Sequence, residues 1–175
     1  MPERLPYAES CRFLQSQGLL DAGDIPTVPS QSPRYDDEQL GVSFFRTCLA
    51  DVTLDNLSLP RSFFGRSEIR SVSFCNTDLS ESTANWNDFI DVNLSHADLS
   101  RADLRASTFE RVSFRGAVLR GADLRRATFH RCVFADADVT GAKITRGAVW
   151  RFRLSHAQRH SVDWQSGAGP EPGGG

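Results

Sequence analysis

Residues 95–129 read SHADLSRADLRASTFERVSFRGAVLRGADLRRATF. Within this stretch, every fifth residue from Leu99 onward is Leu or Phe. This spacing matches neither the helical period of about 3.6 residues nor the strand period of about two. The same step runs outward from Phe44 to Trp164, and only Ala84 and Arg159 break its large apolar character. We predict that these positions point into the core, whose most regular part is Leu99, Leu104, Phe109, Phe114, Leu119, Leu124, Phe129 and Phe134.

A second pattern of small or β-branched residues lies two positions before each large apolar residue. Between the two stands a polar residue, often Asp or Asn, as at Asp98 and Asn93. Large and small groups must alternate to fill a narrow interior to the density of a protein core. The pattern therefore predicts that the small residues also point inward, among them Val92, Ala97, Ala102, Ser107, Val112, Ala117 and Ala122.

The segments HADLS, RADLR and GADLR resemble the A-[D/N]-L-x-x motif of the pentapeptide-repeat family, and the resemblance covers about residues 41–164. It implies an all-β fold, a right-handed quadrilateral β-helix (β-solenoid) of about six coils, with four pentapeptides in each coil. Coils of 20 residues place like residues above one another, as in other side-chain ladders. The sequence supports this with a leucine column and a phenylalanine column, Leu59, Leu79, Leu99 and Leu119, and Phe89, Phe109 and Phe129.

The two ends of the chain depart from the repeat. Residues 1–40 are predicted to be a non-repeat N-terminal cap and linker, with a short helix that ends near Gly18 or Gly23. The repeat domain is predicted over residues 41–164 and includes a C-terminal cap from about residue 155, because Arg159 stands at a core position. Residues 165–175 are rich in Gly and Pro and are predicted to be a flexible tail.

Composition indicates a single domain with a nearly neutral surface, since the 175 residues carry a formal charge of −2. No apolar run has the length of a signal peptide or a membrane span, so a bacterial, cytoplasmic protein without membrane contact is expected. The cysteines have neither paired-motif spacing nor the density of a disulfide scaffold. We therefore expect free thiols at Cys11, Cys48, Cys75 and Cys132.

Candidate functional residues must be sought at outward positions. In coils of 20 residues, Arg111, Arg131 and Arg151 fall in one column, above Asp51 and Asp91, so one face changes sign along the axis. This column either binds an acidic protein or a nucleic-acid backbone, or is solvated and paired with Glu110 and nearby carboxylates. Outward apolar residues are candidate anchors, and Trp86 and Trp150 lead them because Trp is enriched in binding hot spots. The others are Phe45, Phe63, Ile90, Val118 and Val133.

Catalysis is not expected from this sequence. His156 and His160 have the spacing of a two-histidine metal site, but no third ligand at fitting spacing accompanies them. There is no nucleophile elbow or glycine-rich phosphate loop, and a filled bore has no room for a substrate. We therefore expect no catalytic residue, no metal site and no cofactor.

The resulting functional hypothesis is a non-enzymatic scaffold or protein-interaction module with a partner of unknown identity. The alternative comes from the resemblance: family members protect or inhibit type II topoisomerases, DNA gyrase or topoisomerase IV, by DNA mimicry, which gives resistance to quinolones or a peptide toxin. The arginines of the C-terminal half argue against the continuous negative surface that such mimicry needs. The resemblance also implies a homodimer through the C-terminal cap, with contacts from Trp150, Phe152, Leu154 and Trp164.

Overall fold

The chain forms a parallel-strand β-solenoid of about six turns, which confirms the predicted fold class. A computed structural model describes residues 2–33, 41–146 and 153–166. The helices are α1 (Tyr7–Ser16) and α2 (His156–Ser161). The strands are β1 (Cys48–Ala50), β2 (Glu68–Arg70), β3 (Asp88–Ile90), β4 (Thr108–Glu110), β5 (Asp123–Leu124), β6 (Thr128–His130), β7 (Lys143–Thr145) and β8 (Asp163–Gln165).

Strand pairing fixes the coil at 20 residues, as the column pattern predicted. Strands β1, β2, β3, β4 and β6 form one parallel sheet, in which Phe89, Phe109 and Phe129 are successive Cα partners. A second parallel sheet, β5-β7-β8, lies on another face. On the two remaining faces, isolated bridges such as Thr53↔Ser73 and Asp78↔Asp98 join neighbouring coils. Each coil therefore has four faces, and each face takes one pentapeptide.

The bore of the solenoid is filled by the predicted core residues, and the eight that form its most regular part, every fifth residue from Leu99 to Phe134, are all buried. Rings of neighbouring coils stack on one another, with centroid distances of 4.9 Å for Phe89–Phe109, 5.2 Å for Phe109–Phe129 and 4.7 Å for Phe114–Phe134. Where the small residue Ala84 replaces a large one, a void of only about 10 Å³ remains. Close packing therefore accounts for the residues inside the solenoid.

Some of the small inward positions are polar and connect one coil to the next. The side-chain amide of the buried residue Asn87 donates to the carbonyl of Phe64 and accepts from the backbone N–H of Ser67 at 2.7 Å. Ser107 continues the same column, where it accepts from the Asn87 N–H at 3.1 Å and donates to the Ala84 carbonyl at 2.8 Å. These side chains satisfy buried backbone groups that would otherwise be costly.

The corners of the solenoid from residue 46 to residue 141 have left-handed backbone. From Arg46 to Gly141 each fifth residue has a positive φ, between 52° and 66°, whether or not it is glycine. This conformation costs an ordinary L-residue on the order of 1 kcal/mol. It persists because each coil holds the next, as where the Trp86 N–H donates to the Arg105 carbonyl at 3.1 Å. Corner side chains are thus presented from a backbone that the ladder keeps rigid.

The N-terminal segment covers the first coil. Helix α1 ends as predicted near Gly18, whose φ of 69° belongs to a Schellman motif with Leu19 N–H bonded to the Leu14 carbonyl at 2.9 Å. Cys11 and Leu14 are fully buried in the core cluster. The Ser10 hydroxyl accepts from the Ser58 N–H at 2.9 Å. Helix α1 therefore supplies an acceptor that a preceding coil would otherwise provide.

Helix α2 takes the place of a coil face near the other end. Ser155 and Gln158 form a capping box, and the Gln158 amide donates to the carbonyls of Phe134 and Ala137 at 2.8 Å each. The five-residue step assigns Arg159 to the core, but the structure places it on α2 with its side chain exposed. The 20-residue step resumes in β8, where Trp164 pairs with Ile144.

Candidate interaction surface

Three of the predicted surface residues occupy left-handed corners. Trp86, Arg111 and Arg131 have φ values of 58°, 53° and 55°. All three are exposed, and 67 % of the surface of Trp86 is accessible. Trp150 and Arg151 lie outside the described residues.

One outward anchor was wrongly predicted. Phe63 is buried, because its ring packs against Phe45, with 6.0 Å between centroids, and lies on the backbone of Gly65. A Cβ at Gly65 would lie 2.5 Å from Phe63 Cζ, so only glycine allows this approach. Among the predicted apolar anchors that the structure describes, Trp86 and Val133 are the ones exposed as large hydrophobic residues.

The arginine column is partly neutralised. Arg111 binds the Asp91 carboxylate through Nε at 2.5 Å and Nη2 at 2.7 Å, and it also contacts Glu110. The hydrogen bond from Arg111 lowers the pKa of Asp91. Arg131, by contrast, has no carboxylate partner within the ranges that the structure describes. The pairing of Arg111 matches the interpretation in which the column is paired with Glu110 and nearby carboxylates. The charge of Arg131 is not balanced by a carboxylate of the described residues.

A different column carries the exposed residue Trp86. We call it the Trp86 corner, the stacked corner residues Arg46, Arg66, Trp86, Ala106 and Arg126. The 20-residue spacing that places Arg111 and Arg131 in one column also connects Arg46, Arg66 and Arg126, so this column was available from the sequence. Ala106 has only a methyl group where its neighbours have long side chains. A surface cleft of about 280 Å³ lies there, lined by Trp86, Arg105, Ala106, Arg125 and Arg126.

Charges around this cleft are unevenly paired. Arg105 binds Asp103 at 2.7 Å and lies 3.8 Å from Asp123, which also binds Arg125 at 2.6 Å. Arg126 is exposed and has no ion pair in the described parts of the chain. The cleft therefore combines one open aromatic face with a guanidinium group that no carboxylate neutralises.

The Asp123 pairings predict a dependence of stability on pH. Burial favours a higher pKa for Asp123, but hydrogen bonds from the side chain and backbone of Arg125 hold that pKa below its ordinary value of 3.8. A carboxyl group with a lowered pKa stabilises the fold above its unfolded-state pKa and loses this contribution as the pH falls.

We expect Asp123→Asn to lower the melting temperature at neutral pH, through a loss on the order of 1 kcal/mol. The difference from wild type should shrink as the pH falls from about 5 to about 3. Thermal melts across this range measure it, with Asp136→Asn, an exposed corner residue with no ion pair in the described ranges, as the control. A difference that stays constant with pH would contradict the role given to Asp123.

Other predicted features contribute no site. The rings of His156 and His160 lie 4.3 Å apart, and the described residues hold no group of three or more metal-binding side chains. The four cysteines are free, as predicted. Within the described ranges, neither helix has the length and apolar character needed to span a bilayer.

A filled parallel solenoid whose polar and aromatic groups project from its corners defines a repeat protein of the β-solenoid class. A family model described as pentapeptide repeats matches residues 67–105, 88–126 and 107–146, with 8 copies. The chain belongs to the pentapeptide-repeat family, as its sequence predicted. No curated protein matches it.

Several solved structures are similar in fold. One is the pentapeptide repeat protein Rfr23 from the cyanobacterium Cyanothece 51142, with 18 % identity, a TM-score of 0.39, and coverage of 63 % of this chain and 88 % of that one. A pentapeptide repeat protein from the Arabidopsis thaliana thylakoid lumen is 26 % identical, with a TM-score of 0.32 and coverage of 64 % and 71 %. QnrB1, a plasmid-mediated fluoroquinolone resistance protein, is 17 % identical, with a TM-score of 0.32 and coverage of 71 % and 73 %.

Proposed function

We propose that the chain is a non-enzymatic interaction module of the cytoplasm, which binds a protein partner through side chains at the corners of the solenoid. The observation that carries this proposal is Trp86. Its side chain is exposed, it stands on a corner held by the coil ladder, and Arg126 lies two coils along the same column. Rigid aromatic and arginine side chains are the residues most enriched in binding hot spots.

The packed bore supports a role without catalysis. The void beside Ala84, about 10 Å³, is too small for a substrate. The side chains of the core columns are buried, so the residues that bind a partner must lie at outward positions. Binding on a rigid surface also avoids much of the ordering cost that a flexible site would incur. The proposal therefore assigns function to the corners and packing to the interior.

Protection of gyrase or topoisomerase IV by DNA mimicry is the competing function. A mimic must present continuous negative charge to a cleft that is built for phosphates. In this chain Asp91, Asp103, Asp123 and Asp138 each lie against an arginine. Such alternation of charge favours the interaction module over mimicry.

The proposal is tested by quantitative co-purification from cells of the source organism. Wild type is compared with Trp86→Ala and with the control Val133→Ala, which also removes an exposed apolar side chain. We expect a partner that is lost with Trp86→Ala and kept with Val133→Ala. No partner above background would contradict the proposal, and a partner that is retained equally by all three would exclude Trp86 as its contact.

A gyrase supercoiling assay at two salt concentrations, with and without a fluoroquinolone, separates the competing function. We expect no effect of the protein at micromolar concentration. Inhibition or drug protection that weakens with salt would replace the proposal with a topoisomerase-directed role.

We also propose a homodimer through the C-terminal cap. Strand β8 is the last strand of its sheet within the described residues, and its Trp164 is only half-buried above Ile144. Unpaired strand edges pair readily with another chain. Light scattering should give about twice the chain mass of 19.4 kDa, and Trp164→Glu should restore the monomer. A wild-type monomer at high concentration would remove the dimer.

A further inference from the structure

We infer that the cleft above Trp86 binds an acidic segment of a partner protein, with one apolar side chain of that segment against the indole ring. The inference rests on the proposed function and specifies both its site and the chemistry of its partner. Three features carry it: the exposed ring, the open space at Ala106 and the unneutralised charge of Arg126.

The anchor position follows from the local geometry. The Trp86 backbone is held in its left-handed conformation by its hydrogen bond to Arg105, so only the two side-chain torsions orient the ring. In the next coil Ala106 leaves a cleft of about 280 Å³ beside the ring. A cleft of this size holds one large side chain with part of its backbone. It is too small for a drug-sized ligand.

The charge preference follows from the guanidinium groups. Arg126 has no carboxylate partner in the described ranges. Arg105 and Arg125 bind Asp103 and Asp123 through Nε and Nη2, and their Nη1 atoms have no acceptor among the described residues. Three donor groups therefore surround the anchor position, and carboxylates on either side of an apolar residue would match them.

A nucleic acid fits the same site less well. Strands of RNA or DNA are held by successive stacking platforms in a continuously positive groove. Trp86 is the one aromatic residue exposed among those described, and the carboxylates of Asp103 and Asp123 lie beside the cleft. The isolated ring and the mixed charge favour a short acidic peptide.

The test uses a labelled seven-residue peptide with a central phenylalanine and three acidic residues on each side. Fluorescence anisotropy measures its binding to the full chain and to variants. We expect Trp86→Ala and Arg126→Glu each to weaken binding by about tenfold or more. Arg131→Glu is the matched control, since it reverses an exposed, unpaired corner arginine in another column, and it should change affinity by less than about twofold. Circular dichroism confirms that each variant is folded.

Four results of these binding measurements would overturn the inference. The first is no binding to wild type, and the second is an equal loss with Arg131→Glu. The third is equal binding of a peptide with alanine at its centre, which would show that charge alone causes binding and that no apolar side chain packs against the indole ring. The fourth is tighter binding of a single-stranded oligonucleotide that depends on the same two residues.

The chain also contains its own acidic segment, RYDDEQL, at residues 34–40, which lies outside the described residues. A variant with Asp36→Asn, Asp37→Asn and Glu38→Gln tests this segment as the occupant. Binding of the peptide by this variant alone would mean that the segment fills the cleft, and would overturn a partner site.

A partner that still co-purifies with Trp86→Ala would remove this site but leave another corner as the binding surface, whereas no partner at all would remove the proposed function itself.

Discussion

Replacing Phe109 with alanine is expected to lower the free energy of unfolding by about 3–5 kcal/mol. The Phe109 ring is fully buried and stacks between Phe89 and Phe129, and it meets the edge of Phe114 at 5.4 Å. Alanine would leave a cavity in the middle of this ladder. The narrow bore is held by parallel pairing on each side, so the walls have little freedom to collapse into it.

Urea denaturation followed by far-ultraviolet circular dichroism measures this loss. The control is Trp86→Ala, which removes an even larger aromatic side chain from the outside of the solenoid and should change stability by no more than about 0.5 kcal/mol. Similar losses in the two variants would mean that the five-residue step does not separate inside from outside.

Leu14→Asp should detach helix α1 and open the first coil. Leu14 is fully buried in the core cluster, so a carboxylate there would lie among apolar side chains. An unpaired charge at such a site costs about 3–5 kcal/mol, which strongly disfavours the docked position of α1. The edge that Ser10 covers at Ser58 would then be exposed.

Hydrogen exchange measured by mass spectrometry locates this effect. Protection should be lost first in residues 42–61 and kept in residues 100–130, because each coil leans only on its neighbours. Ala8→Asp, which places the same acid at an exposed position of the same helix, should leave the exchange pattern unchanged. Uniform loss of protection along the solenoid with Leu14→Asp would contradict the capping role of α1.

The interior could be predicted from sequence because packing alone determines it. The five-residue step identified Phe109 and Leu119 as core residues, and the match of residues 20 apart supported the coil length that the family resemblance implied. The helix near Gly18 also followed from a local signal, because glycine at that position ends a helix.

The surface was harder to predict because outward residues depend on contacts between coils. The sequence placed Arg111 in one column with Asp91 but left open whether the arginine is paired, and Phe63 could be assigned outward but not seen to lie on Gly65. Helix α2 interrupts the step at Arg159 since the Ser155 and Gln158 capping box favours a helix there. One missed signal was available: Asn, Asp and Gly recur at Asn76, Asp91 and Gly116, and these residues tolerate left-handed backbone.

The most direct test of the Trp86 corner as a binding surface is site-specific photo-crosslinking in cells of the source organism. One crosslinker replaces Asp88, an exposed residue two positions from Trp86, and the other replaces Asp136, an exposed residue at a different corner. We expect a discrete crosslinked partner from position 88 that disappears with Arg126→Glu, and none from position 136. Equal crosslinking at both positions, or a product at position 136 alone, would contradict a partner bound at the Trp86 corner.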